Sequence, residues 1–86
     1  MRRLEFTIEP FEEGHPGPHV TAPVDALRAA GFAVEFGPFG SSASVPPERL
    51  GDAVSLLTTV AFEHGASRVN LDVERVGDPT TGGLSG

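Results

Sequence analysis

The sequence predicts an α+β domain, a four-stranded antiparallel sheet with two helices on one of its faces. Three observations carry this. Four segments alternate apolar and polar residues with period two, the mark of half-buried strands. Two other segments repeat apolar residues at helical spacing. Their order is strand, helix, strand, strand, helix, strand, so the chain divides into two strand–helix–strand halves. Right-handed crossovers fold two such halves into a ferredoxin-like split β-α-β.

The first strand spans residues 3–9. Leu4, Phe6 and Ile8 fall on one face, and Arg3, Glu5, Thr7 and Glu9 on the other. Pro10 ends it, because proline cannot donate to a ladder. Residues 11–18 hold two Pro and two Gly and read as a loop. The first helix then carries Val20, Val24, Leu27 and Ala30 at helical spacing, with Gly31 where a C-terminal cap belongs. Pro23 sets its start. A proline deletes a hydrogen bond in a helix interior and is tolerated in a first turn. The helix is therefore expected to begin near Thr21, and an earlier start should bring a kink.

Phe32, Val34 and Phe36 alternate with Ala33, Glu35 and Gly37 as the second strand. The run Gly37-Pro38-Phe39-Gly40 is a turn signal. Ser41, Ala43 and Val45 then share one face of a short third strand of low apolar content. Pro46, Pro47 and Glu48 open the second helix, since proline suits a first turn and an early acid complements the dipole. Its apolar stripe is Leu50, Val54, Leu57 and Ala61, widened by Ala53 and Val60, and His64 and Gly65 close it. The fourth strand covers residues 67–76, with Val69, Leu71 and Val73 alternating against Arg68, Asn70, Asp72 and Glu74. Residues 1–76 thus form one ferredoxin-like domain. The Gly, Pro, Thr and Ser of residues 77–86 read as a flexible C-terminal tail.

Composition narrows the function. The 86 residues include 12 Asp and Glu against 6 Arg and no Lys, a formal charge of −6. With no Trp or Tyr either, the chain is poorly equipped to neutralise phosphates or stack bases. Nucleic acid and anionic membranes are therefore not expected partners. No apolar stretch approaches the roughly 18 to 20 residues of a membrane span, and a cytoplasmic location is expected. The lack of Cys removes disulfides, thiolate metal sites and Cys nucleophiles. A domain this small gains stability by oligomerising, so a second copy is an expected partner.

The strand assignments place Arg3, Glu5, Thr7, Glu9, Glu35, Arg68, Asn70, Asp72 and Glu74 on the face away from the helices. Clustered carboxylates attract positive charge. The face is a site for a cationic ligand, a solvated sheet face, or a surface that pairs with a second subunit. The Gly37–Ser42 segment resembles a phosphate cradle only superficially. A P-loop needs a Lys and a following helix, whereas this segment joins two strands. Its plainer role is a tight hairpin that needs glycine. Glycine backbones also admit a ligand closely, and Ser41 and Ser42 offer hydroxyls beside them. Phe6, Phe32, Phe36 and Phe39 read chiefly as core, and Phe39, next to the Gly-rich turn, is the one placed to stack on a ligand. His15 and His19 flank stiff prolines with no third ligand nearby, so no metal is expected. His64 suits a helix C-terminus. With all three histidines off the sheet and no nucleophile elbow, no enzymatic activity and no cofactor are expected.

Three segments carry a resemblance. They are Glu5-Phe6-Thr7-Ile8-Glu9-Pro10-Phe11, the hairpin from Gly31 to Ser41, and Gly65-Ala66-Ser67-Arg68-Val69. In order and spacing they resemble the small thiamine-binding proteins of bacteria and archaea, long filed as a domain of unknown function. The likeness spans roughly residues 3–76. Ser41 stands where that family usually has Thr, and Ala43-Ser44-Val45-Pro46 replaces its acidic-Gly pair. The resemblance implies the same ferredoxin-like fold and homo-oligomers, dimers or tetramers, built through sheets. It also implies binding of thiamine or its hydroxymethylpyrimidine precursor without catalysis. Glu5, Glu9, Glu35, Asp72 or Glu74 would neutralise the thiazolium cation. Ser41, Ser42, Asn70 and the backbone from Gly37 to Gly40 would meet the aminopyrimidine, with Phe39 as its wall.

Overall fold

The computed structural model describes residues 1–11, 16–37 and 40–77. The elements run β1 (Arg2–Glu9), α1 (Pro18–Ala29), β2 (Ala33–Phe36), β3 (Ser41–Val45), a 3-10 turn (Pro47–Arg49), α2 (Leu50–Glu63) and β4 (Arg68–Arg75). The sheet order is β2-β3-β1-β4, antiparallel at every junction. This is the α+β ferredoxin-like arrangement that the two-halves pattern predicts.

Period-two alternation buries one side of each central strand. Leu4, Phe6 and Ile8 of β1 and Ala43 and Val45 of β3 join Val24 and Leu27 of α1 and Ala53, Leu57 and Ala61 of α2 in one core. Fully burying a Leu-sized side chain stabilises by about 1.5–3 kcal/mol. The sheet's two edges are less covered. Phe36, expected in the core, is 45% exposed at the end of β2, and Val73 of β4 is 44% exposed. Both sit at the margin of the sheet, beyond the cover of two helices.

The first helix departs from expectation at its start. It begins at Pro18 and runs through Pro23 rather than opening near Thr21. Pro18 occupies the first turn, and the Gly17 carbonyl accepts from the Val20 and Thr21 amides at 2.9 and 3.1 Å. Only the bond that a residue-23 amide would have given to His19 is missing, and the Pro23 ring is buried in exchange. The His19 ring nitrogen donates to the Pro10 carbonyl, tying the loop to the helix. A Cβ on Gly17 would lie 2.9 Å from that ring, so any side chain there would have to displace it. At the other end Gly31 has φ +94°, the left-handed cap that the sequence anticipates.

Arginines close the remaining joints. Arg49 donates to the Ala30 carbonyl at 3.2 Å, and its guanidinium stacks 4.3 Å from the Phe32 ring centroid. Arg28 donates to the Val34 carbonyl at 3.1 Å. The His64 ring bonds the Val60 carbonyl at 2.9 Å at the end of α2. β4 is one residue shorter at each end than residues 67–76. Of the proposed tail only Gly77 is described. No helix is long and apolar enough to cross a membrane among the described residues.

Candidate functional site

The register turns the acidic face into a geometry. Glu5 pairs with Ser42 on one side and Asp72 on the other, and Ser42 pairs in turn with Glu35. One row across the sheet therefore reads Glu35, Ser42, Glu5, Asp72, with neighbours about 4.8 Å apart. The flanking rows are balanced. Arg3 stands opposite Glu74, and Glu9 opposite Arg68. The carboxylate excess is thus concentrated in the central row rather than spread over the face. Arg3 also lies 3.9 Å from the Glu5 carboxylate, with both side chains about half exposed. Such a solvated pair attracts only weakly and leaves Glu5 accessible.

An open depression of about 420 Å³ lies over this row. Glu5, Glu35 and Asp72 contribute three carboxylates to its lining against the single guanidinium of Arg3. Gly37, Gly40, Ser41, Ser42 and Asn70 also line it, with Thr7, Phe6 and Phe36. The sheet thus brings together Glu5, Glu35, Gly37, Gly40, Ser41, Ser42 and Asn70, seven of the eight residues that the sequence singles out. The eighth, Phe39, lies outside the described residues, as does His15 of the weighed histidine pair. A smaller depression of about 290 Å³ shares Arg3, Glu35 and Ser42 and extends toward Ser44 and Val76.

The two serines are not equivalent. Ser42 is on the carboxylate face, in the row of Glu5 and Glu35. Ser41 pairs with Phe6 and Phe36 on the helix side and is buried. It therefore reaches the depression only at its end, and Ser42 is the better placed hydroxyl. Asn70 donates to the Glu9 carboxylate at 2.9 Å, which fixes the amide beside Thr7. The glycines close the hairpin. The Gly37 amide donates to the Gly40 carbonyl at 2.9 Å, and a Cβ on Gly37 would meet that oxygen at 2.7 Å. The Gly37 amide is spent on the ladder, so the segment is a hairpin end rather than a phosphate cradle.

Arg3, Thr7 and Phe36 line the depression without having been singled out from sequence. Their signal was present for Arg3 and Thr7, which alternate onto the acidic face with Glu5. Phe36 gave none, because alternation assigns it to the core side and only its marginal position exposes it.

No family model matches the chain, and no curated protein matches it. Solved structures do. The chain is similar to a domain of unknown function, DUF77, from Bacillus cereus, with a TM-score of 0.63 at 16% identity over 92% of this chain and 77% of that one. It is also similar to protein SP2199 from Streptococcus pneumoniae, with a TM-score of 0.55 at 17% identity over 99% of this chain and 98% of that one. At these identities the likeness establishes the fold, a ferredoxin-like α+β sheet with two helices.

Proposed function

We propose that the chain is a non-catalytic binding protein of the cytoplasm, taking thiamine or its hydroxymethylpyrimidine precursor as a homo-oligomer. The observation that carries this is the central row, Glu35–Ser42–Glu5–Asp72, beneath a depression of about 420 Å³. That volume falls within the range of small-molecule sites. Three carboxylates against one guanidinium favour a cation such as the thiazolium. Ser42, Asn70 and Thr7 supply the few placed donors and acceptors that an aminopyrimidine needs. Calorimetric titration with thiamine and with hydroxymethylpyrimidine, at millimolar ligand and several pH values, tests it. Saturable heat is expected. Its absence for both compounds rejects the reading.

A second reading takes the chain as an oligomeric interaction or regulatory module with no small-molecule ligand. The openness of the acidic depression and the half-exposed Val73 and Phe36 favour it. The Glu35→Arg and Asp72→Arg variants, followed by light scattering, separate the two. If the acidic face is the subunit contact, both reversals dissociate the oligomer.

A further inference from the structure

Asn70 and Glu9 are held together on the open face of the sheet. The Asn70 amide nitrogen donates to the Glu9 carboxylate at 2.9 Å. Register sets Asn70 opposite Thr7 and Arg68 opposite Glu9, so the contact runs diagonally between neighbouring strands, within reach of long side chains. Asn70 and Thr7 line the depression of about 420 Å³, and Glu9 does not. Glu9 thus stands outside the row of Glu35, Glu5 and Asp72, at the margin of the site. That place suits it to orienting Asn70 better than to meeting a bound cation.

The direction of this hydrogen bond is fixed by chemistry. An ionised carboxylate only accepts, whereas a side-chain amide has a donating end and an accepting end. Only the donating end makes a favourable contact with Glu9. Turned over, the amide would set its oxygen against a carboxylate oxygen. A free Asn side chain rotates about its last torsion and offers a ligand either end. The charge-assisted bond to Glu9, stronger than one between neutral groups, removes that choice. The amide nitrogen is committed to the margin, and the oxygen, on the other branch of the amide, is left for a ligand. Among the described residues nothing donates to it.

We propose that Glu9 is a positioning residue that sets the hydrogen-bonding polarity of the site, a role that rests on the ligand reading above and sharpens it. Through Asn70 it presents an acceptor, so the site takes a heteroaromatic ring by an exocyclic amine and rejects the same ring with an oxo group at that position. The Asn70 oxygen accepts from the amine, whereas the oxo analogue sets oxygen against oxygen. Thr7, across the ladder, carries a hydroxyl that both donates and accepts, so it holds either ring without choosing. The carboxylates of Glu5, Glu35 and Asp72 also favour donors, but they do so whatever Glu9 does. Selectivity that depends on Glu9 therefore passes through Asn70.

Titration calorimetry of the full chain with hydroxymethylpyrimidine and with its oxo analogue, at a mildly alkaline pH where both are uncharged, tests this. The amine should bind about tenfold tighter than the oxo compound. Glu9→Gln is nearly isosteric, and its amide can donate to Asn70 or accept from it. It frees Asn70 to turn and should bring the affinities to within about threefold of each other. Asn70→Ala should erase the same part of the preference, and adding Glu9→Gln to it should change nothing further, since the coupling between the two residues is gone. Circular dichroism should show every variant folded. A preference undiminished by Glu9→Gln overturns the proposal and leaves the ligand reading standing. So does equal binding of both compounds by the unaltered chain, or a Glu9→Gln effect that persists without Asn70. No heat from either compound overturns the ligand reading and the proposal with it.

Discussion

Two glycines show how one backbone angle decides the sign of a substitution. Gly31 and Gly51 both have open space where a Cβ would go. Gly31 has φ +94°, whereas Gly51 lies in the first turn of α2. Gly31→Ala should therefore cost about 1 kcal/mol through left-handed strain. Gly51→Ala should gain about 0.5 kcal/mol by restricting the unfolded chain. Urea midpoints of the two variants, moving in opposite directions, check this. Gly31 was legible as a cap from its place after Ala30. The difference between Ser41 and Ser42 was legible only as alternation, and it took the pairing with Phe6 and Glu5 to say which face each serine joins.

Among the elements, the helices were legible where an apolar stripe was continuous. In α2 Leu57 is fully buried and Phe62 is 53% exposed on the opposite side. Leu57→Ala should cost roughly 2–4 kcal/mol as lost burial plus a cavity. Phe62→Ala should stay within about 0.5 kcal/mol, the range of surface changes. Thermal and urea unfolding of the pair would expose a mistaken helix face, because the two costs would then exchange. The start of α1 was not legible. Local propensity argues against an interior proline, but burial of the Pro23 ring and the Gly17 carbonyl bonds outweigh one lost hydrogen bond. Residue preferences within a turn do not register such tertiary compensation.

For the molecule as a whole, charge placement matters more than charge total. If thiamine is held by its cation, Glu5→Gln and Glu35→Gln should each weaken it severalfold, by about three- to tenfold. The uncharged hydroxymethylpyrimidine should respond much less. Added salt should weaken thiamine in the same selective way, since exposed charges are screened beyond a Debye length of about 8–10 Å. Equal loss for both ligands in titration calorimetry would mean that the carboxylates shape the site rather than neutralise a cation.

The sequence by itself determined the elements, the faces and the sign of the exposed sheet surface, because periodicity is local and each residue carries its own polarity. It assigned five carboxylates and two guanidiniums to one face from alternation alone. Only the tertiary structure decided which of them are neighbours. Register pairs Arg3 with Glu74 and Arg68 with Glu9, and leaves Glu35, Glu5 and Asp72 in a row under one depression. That is a non-local outcome, since shifting one strand by two residues keeps every face and changes every partner. The same holds for the edges. Nothing in the local pattern of Val34 says that an arginine from α1 reaches its outward-facing carbonyl.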